Sequence, residues 1–172
     1  MALFDYFKVC KECTDEYCCK EPYYAFMSKG EVQRIKDYLK KENFPKKFSD
    51  FIAEEDFTYK NEDYKVLAIK KINGPCIFLK DKRYCMIQDV KPLDCREWPL
   101  TFDYDDKKDE LTIYKGVCPL SDVLDEEWIN DMVERIRRET AQWSLEDLAA
   151  YSSYDRDDTL KPIKKFKRFL RK

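Results

Sequence analysis

The chain has 172 residues, and its formal net charge is only -2 although 40% of the residues are charged. Hydrophobic residues make up 44%, which suffices for a buried core and excludes intrinsic disorder and collagen-like repeats. The balanced charge argues against a global electrostatic field for nucleic acid. The absence of histidine excludes Ser-His-Asp triads, Cys-His dyads and zinc sites that contain histidine.

The N-terminal residues show neither a basic leader nor a signal-peptide cleavage pattern. No segment approaches the ~18 apolar residues that a membrane span requires. We therefore expect a soluble, cytoplasmic protein without a transmembrane segment. In that reducing compartment, clustered cysteines favour metal ligation or redox catalysis over disulfides.

In chain order, residues 10–19 are rich in cysteine and predict a metal-wrapping loop that Pro22 closes. Ser28 and Glu31 form a capping-box signature, and the apolar spacing that follows predicts an amphipathic helix up to Lys41. A second, shorter helix is expected after Pro45. Strands are predicted at Tyr64–Ile72, Ile77–Leu79, Met86–Gln88, around Phe102 and at Leu111–Tyr114, the last two being joined by an acidic turn.

The C-terminal third predicts helices again. The longest should begin at Ser121, and Ser144 should cap a short one that ends near Tyr151. Residues 155–172 are predicted to form a polar hinge and a basic amphipathic helix after a metal-binding domain over residues 1–154. The predicted fold class is α+β, a small single domain of several helices around short strands and cysteine-bearing loops.

The eight cysteines carry the functional prediction. Cys10 and Cys13 form a C-x2-C pair, a spacing that lets two thiolates on one turn meet one metal. Side chains of adjacent residues in extended backbone point to opposite sides, so Cys18 and Cys19 should serve different ligand sets unless one is a bystander. The predicted metal ligands are Cys10, Cys13, Cys18, Cys19, Cys76, Cys85, Cys95 and Cys118.

Eight thiols divide into two four-Cys sites, but a single site with leftover thiols is equally permitted. Some of the cysteines can also be ordinary buried residues, and Cys118 is the least secure ligand. Arg96, directly after Cys95, can donate to a thiolate or hold an anion, or it can form an ion pair with a carboxylate.

The segments CKECTDEYCC, SKGEVQRIKDYL and GPCIFLKDKRYCMIQDVKPLDCREWP resemble, in this order, a cysteine-cluster family of the CxxCxxCC type, described as chelating zinc or iron. The resemblance covers roughly residues 10 to 120. The four-residue gap between Cys13 and Cys18 and the CMIQ segment are similar to the cysteine region of flagellin lysine-N-methylases, although the methylase part has no counterpart here.

The resemblance implies a metal cofactor, either an iron–sulfur cluster of the 4Fe–4S type or zinc. The methylase-like spacing favours the cluster and a redox or protein-modification-related role. The alternative is a zinc-stabilised binding module without catalysis. A protein partner is expected, whereas nucleic acid or membrane contact through the basic C-terminal segment is not favoured.

Overall fold

The computed structural model describes residue 19 and residues 25–70, 75–80, 84–118, 121, 124–153 and 160–168. Its helices and strands confirm the α+β class. The chain divides into two compact units. The first unit comprises Met1–Glu54 and Leu67–Cys95, and the second unit comprises Glu55–Val66 and Arg96–Lys172.

The described helices are α1 (Lys29–Lys41), α2 (Leu93–Glu97), α3 (Glu126–Thr140) and α4 (Leu145–Ser152), with short 3-10 turns at Phe48–Phe51 and Gln88–Val90. The described strands are β1 (Ala25–Met27), β2 (Ile52–Tyr59), β3 (Glu62–Ile69), β4 (Leu79–Lys80), β5 (Tyr84–Cys85), β6 (Leu100–Asp105), β7 (Glu110–Lys115) and β8 (Lys161–Lys167). No helix in these residues is both long and apolar enough to cross a membrane.

The first unit contains β1, α1, the beginning of β2 and the end of β3. The three strands form a sheet in the order β1-β3-β2. The capping box of α1 is present as predicted, because the Ser28 side chain accepts from the Glu31 N–H while the Glu31 carboxylate accepts from the Ser28 N–H. Strand β1 pairs antiparallel with β3, and Phe26 lies opposite Ala68. One core is formed by Ala25, Met27, Val32, Ile35, Leu39, Phe51, Ile69, Phe78 and Ile87.

The second unit is built on the antiparallel sheet β6-β7-β8. Phe102 on β6 lies opposite Ile113 on β7, and both are fully buried. The Phe102 ring stacks on Tyr151 of α4 with ring centroids 4.1 Å apart. The strands of this sheet and α4 thus bury aromatic and aliphatic side chains against each other, and α3 buries Met132, Val133 and Ile136.

Several predicted elements are confirmed. Helix α1 ends at Lys41, β3 covers most of the predicted strand, β6 and β7 flank the acidic turn, and α4 begins after Ser144. The predicted strand at Met86–Gln88 is wrong in position, since β5 ends at Cys85 and a 3-10 turn begins at Gln88.

Two predictions at helices are corrected. Helix α3 begins at Glu126, because Asp125 caps it by accepting from the Trp128 N–H at 2.7 Å, whereas the Ser121 hydroxyl donates to the Gly116 carbonyl at 2.6 Å. The predicted C-terminal helix is a strand: Lys161–Lys167 pairs antiparallel with β7 as β8. The tertiary pairing outweighs a weak helical pattern in this segment.

Candidate metal centre

A short hairpin in the first unit brings two cysteines together. The Leu79 N–H donates to the Cys76 carbonyl at 2.9 Å, and Leu79 on β4 lies opposite Cys85 on β5. The Cys76 N–H donates to the Cys19 carbonyl at 2.7 Å. Backbone hydrogen bonds therefore position Cys19, Cys76 and Cys85 in one part of the unit.

Cys95 is presented by the short helix α2, which two carboxylates hold in place. Glu31 on α1 accepts from the Leu93 N–H at 2.6 Å, and Asp94 accepts from the Phe26 N–H on β1 at 3.0 Å. The Cys95 N–H donates to the Pro92 carbonyl at 3.1 Å. Contacts of α2 with α1 and with β1 thus fix the position of Cys95.

The electrostatics show that the four thiols share one neighbourhood. Burial raises the pKa of the Cys95 thiol well above its usual range, and negative charge on Asp94, Cys76 or Cys85 raises this pKa further. Burial also raises the pKa of Cys85, and charge on Cys19 acts in the same direction. Each of the four thiols is therefore within electrostatic range of at least one other.

Lys91 opposes these shifts. Its ammonium group lowers the pKa of both Cys85 and Cys95, and the Ile87 N–H, which donates to Cys85, also lowers the pKa of that thiol. A cation and a backbone donor next to thiolates stabilise the charge that metal ligation requires. Cys76, Cys85 and Cys95 also pack against the apolar core around Phe78 and Ile87.

The family comparison agrees with this donor set. The CxxCxxCC family, described as "Putative zinc- or iron-chelating domain", matches residues 9–119. The chain belongs to the CxxCxxCC family. Comparison with curated proteins and with solved structures gives no match.

In this CxxCxxCC protein the donor chemistry fits the group that the family description implies. Thiolates are the ligands that zinc and iron–sulfur clusters prefer, and the chain has no histidine to offer instead. Among the described residues, however, no three His, Cys, Asp or Glu side chains are arranged as ligands of one ion. The four cysteines thus lie in the same part of the first unit, but their side chains do not form a closed coordination sphere.

The remaining predicted ligands are placed as follows. Cys10, Cys13 and Cys18 lie outside the described residues. Cys118 belongs to the second unit, where its N–H donates to the Ser121 hydroxyl at 3.2 Å.

Arg96 lies in the second unit and forms a bidentate ion pair with Glu139 of α3, with N–O distances of 2.6 and 2.5 Å. The structure therefore shows the ion pair that the sequence left as one alternative for this residue. Lys91, Glu31 and Asp94 were not predicted from the sequence to act near the thiols, although Lys91 lowers the pKa of two of them and the two carboxylates hold the Cys95 helix. The position of Lys91 and Asp94, within four residues of Cys95, was the available signal.

Proposed function

We propose that this member of the CxxCxxCC family is an iron–sulfur protein whose first unit holds a cluster through Cys19, Cys76, Cys85 and Cys95. The observation that carries the proposal is the placement of these cysteines: the Cys76 N–H donates to the Cys19 carbonyl, and Cys76, Cys85 and Cys95 pack against one core. Four thiolates are also the number that a cubane cluster takes from a protein. Cys10, Cys13 and Cys18 remain proposed as further metal ligands.

The surroundings of these thiols favour a cluster over a purely structural ion. Apolar side chains of the first unit's core pack against Cys76, Cys85 and Cys95. Shielding of the sulfurs from water together with N–H donation tunes cluster potentials. When bound, a cluster supplies electron transfer. The chain itself contributes Lys91 to offset the negative charge, and Glu31 and Asp94 to hold the Cys95 helix in place.

We further propose that this centre serves a redox or protein-modification-related role with a protein partner. The four-residue spacing between Cys13 and Cys18, similar to that of flagellin lysine-N-methylases, supports this role. A zinc-stabilised binding module is the second candidate. The short hairpin β4–β5 favours it, because an element of this length gains stability when a metal closes it.

Anaerobic purification followed by visible absorbance and metal analysis tests the proposal. We expect a brown protein that contains iron and acid-labile sulfide. A colourless protein with stoichiometric zinc, and without iron uptake on reconstitution, would contradict the cluster and support the zinc module.

Single Cys→Ser variants test the ligand assignment. We expect Cys19→Ser, Cys76→Ser, Cys85→Ser and Cys95→Ser each to lose most of the bound metal, because each removes one thiolate from the set. Cys118→Ser, in the second unit, is the matched control and should retain the metal. Unchanged metal content in the four variants of the first unit would remove the assignment.

A further inference from the structure

Strand β8 is an edge strand with an unusual charge. Five of the eight residues from Lys161 to Arg168 are basic, in a chain whose net charge is -2. Lys161, Lys164, Lys165 and Lys167 are all exposed. Strand β8 is therefore strongly positive, although the chain as a whole has a small negative net charge.

The backbone groups at the two edges of this sheet differ in their hydrogen-bond partners. At the β6 edge, helix α4 supplies the Ser152 hydroxyl, which accepts from the Tyr104 N–H at 2.8 Å. At the other edge, β8 has β7 as its one hydrogen-bonded neighbour in the part of the chain that the structure describes. An uncovered edge presents backbone groups that can pair with another strand.

The register identifies the residues that present these groups. The Arg168 N–H donates to the Asp109 carbonyl at 3.0 Å, and Lys167 lies opposite Glu110. Antiparallel pairs alternate between hydrogen-bonded and non-hydrogen-bonded, so the N–H and C=O groups of Lys165 and Lys167 point away from β7. We call these backbone groups, with their two side chains, the open edge.

Side chains at the open edge select what can pair there. Lys165 and Lys167 are two residues apart and therefore lie on one face of the sheet. Their ammonium groups repel a basic strand and disfavour an apolar one, which is how lysines protect edges from aggregation. A strand with carboxylates at alternate positions would instead place each carboxylate beside a lysine, because directly opposed charges of opposite sign attract.

A polyanion such as RNA fits this surface less well. The face that carries Lys165 and Lys167 also carries Asp103, Asp105 and Glu110 on the neighbouring strands, and Glu110 lies 4.0 Å from the Lys167 ammonium group. Phosphates laid across that face would meet these carboxylates. An added strand would instead lie beside β8, where Lys165 and Lys167 are the nearest charged side chains of that strand on this face, although the Lys167 ammonium group also donates to the Lys108 carbonyl.

We infer that the open edge of β8 is a docking site for an extended acidic segment of a protein partner, with Asp or Glu at alternate positions. The backbone of Lys165 and Lys167 supplies hydrogen bonds, and their ammonium groups supply specificity. This inference is independent of the metal centre, because it rests on the second unit alone.

Fluorescence anisotropy with a short labelled peptide of alternating Glu and Thr tests this docking at low ionic strength. We expect saturable binding that Lys165→Glu weakens by roughly three- to tenfold, since an attraction becomes a repulsion. Lys46→Glu makes the same charge change at an exposed residue of the first unit and should leave the affinity unchanged. A peptide with Lys in place of Glu should not bind.

Amide exchange by NMR on the unmodified protein gives a second readout, which does not depend on a variant's folding. Bound peptide should protect the amides of Lys165 and Lys167, and leave the already paired Phe166 amide nearly unchanged. Binding without that protection, equal binding to Lys165→Glu and Lys46→Glu, or tighter Lys165-dependent binding of a single-stranded RNA oligonucleotide would each overturn the inference.

Discussion

Glu31 is a buried carboxylate that connects α1 to the beginning of α2. Its Oε2 accepts from the Ser28 N–H at 2.9 Å, and its Oε1 accepts from the Leu93 N–H at 2.6 Å. Arg34 lies 3.4 Å from the same Oε1. One side chain therefore caps α1 and fixes the beginning of α2, the helix that carries Cys95.

Glu31→Gln is predicted to lower the free energy of unfolding by about 1–3 kcal/mol at neutral pH. Glutamine has one acceptor oxygen, so its NH2 group would face either the Ser28 or the Leu93 N–H in a buried place. Urea denaturation measures the change. Glu42→Gln, at the exposed C-cap of α1, is the control and should stay within about 0.5 kcal/mol of the parent protein. Equal effects of the two substitutions would contradict this role.

The pKa of Glu31 predicts how the stability difference between the parent protein and Glu31→Gln depends on pH. Burial raises the pKa of Glu31 above its usual value, against the hydrogen bonds from Ser28 and Leu93 and the charge of Arg34. The folded state then binds more protons than the unfolded state between 4.5 and the raised value, so this group's contribution to stability falls as the pH rises through that window. The stability difference between the parent protein and Glu31→Gln should accordingly be larger at the acidic end of this pH window than at its upper end. A difference that grows with pH would contradict the direction of the shift.

Residue patterns in the sequence predict local contacts better than distant ones. Ser28 and Glu31 are three residues apart, so their capping box could be predicted from spacing alone. The contact between Glu31 and Leu93 spans 62 positions and depends on how α1 packs, which no local pattern records. The same holds for Lys91, whose effect on Cys85 requires the fold.

At the scale of elements, Gly116 lies where the end of β7 meets the Trp98-Pro99 segment. Its N–H donates to the Pro99 carbonyl at 2.7 Å, and an added Cβ would lie 2.9 Å from the Trp98 ring and 3.2 Å from that carbonyl oxygen. The oxygen is already held by the hydrogen bond, so it has little freedom to move away. The absence of a side chain at Gly116 therefore permits this close approach.

Gly116→Ala is predicted to destabilise the protein by about 1–3 kcal/mol, because the methyl group overpacks this contact. Gly30→Ala is the matched control: nothing lies within 4 Å of its added Cβ, and alanine favours the helix that contains it. Thermal and urea unfolding should show a loss for the first substitution and no loss for the second. Full stability of Gly116→Ala would show that the Trp98 segment moves aside.

Elements with a strong internal pattern were predictable, and elements that depend on a partner were not. Helix α1 has a cap and an apolar stripe, and its residues bury that stripe as the pattern predicts. In β8 the spacing of Ile163 and Phe166 fits a helix weakly, and pairing with β7 decides in favour of a strand. Strand β2 carries three consecutive exposed acidic residues and so lacks the alternation that marks a strand.

At the scale of the whole molecule, the proposed ligands all lie in the first unit, whereas each unit has buried apolar residues of its own. Cys19, Cys76, Cys85 and Cys95 belong to the first unit, and the short elements β5 and α2, which carry Cys85 and Cys95, have few residues to stabilise themselves. The second unit has a core of its own, with Phe102, Ile113 and Ile136 fully buried. The metal should therefore matter for one unit far more than for the other.

Removal of the metal by a chelator under anaerobic conditions is predicted to reduce protection from hydrogen exchange selectively. Amides of β5 and α2 should exchange faster, because the binding free energy of a thiolate-held metal stabilises the elements that supply the ligands, and so should amides of β4, which pairs with β5. Amides of β6 and β7 should change little, since aromatic and aliphatic packing in the second unit does not involve the four thiols. The Cys118→Ser variant, loaded with metal, should match the parent protein. An equal loss of protection in both units would mean that the metal stabilises the molecule as one cooperative body, and it would contradict the assignment of the metal's effect to the first unit.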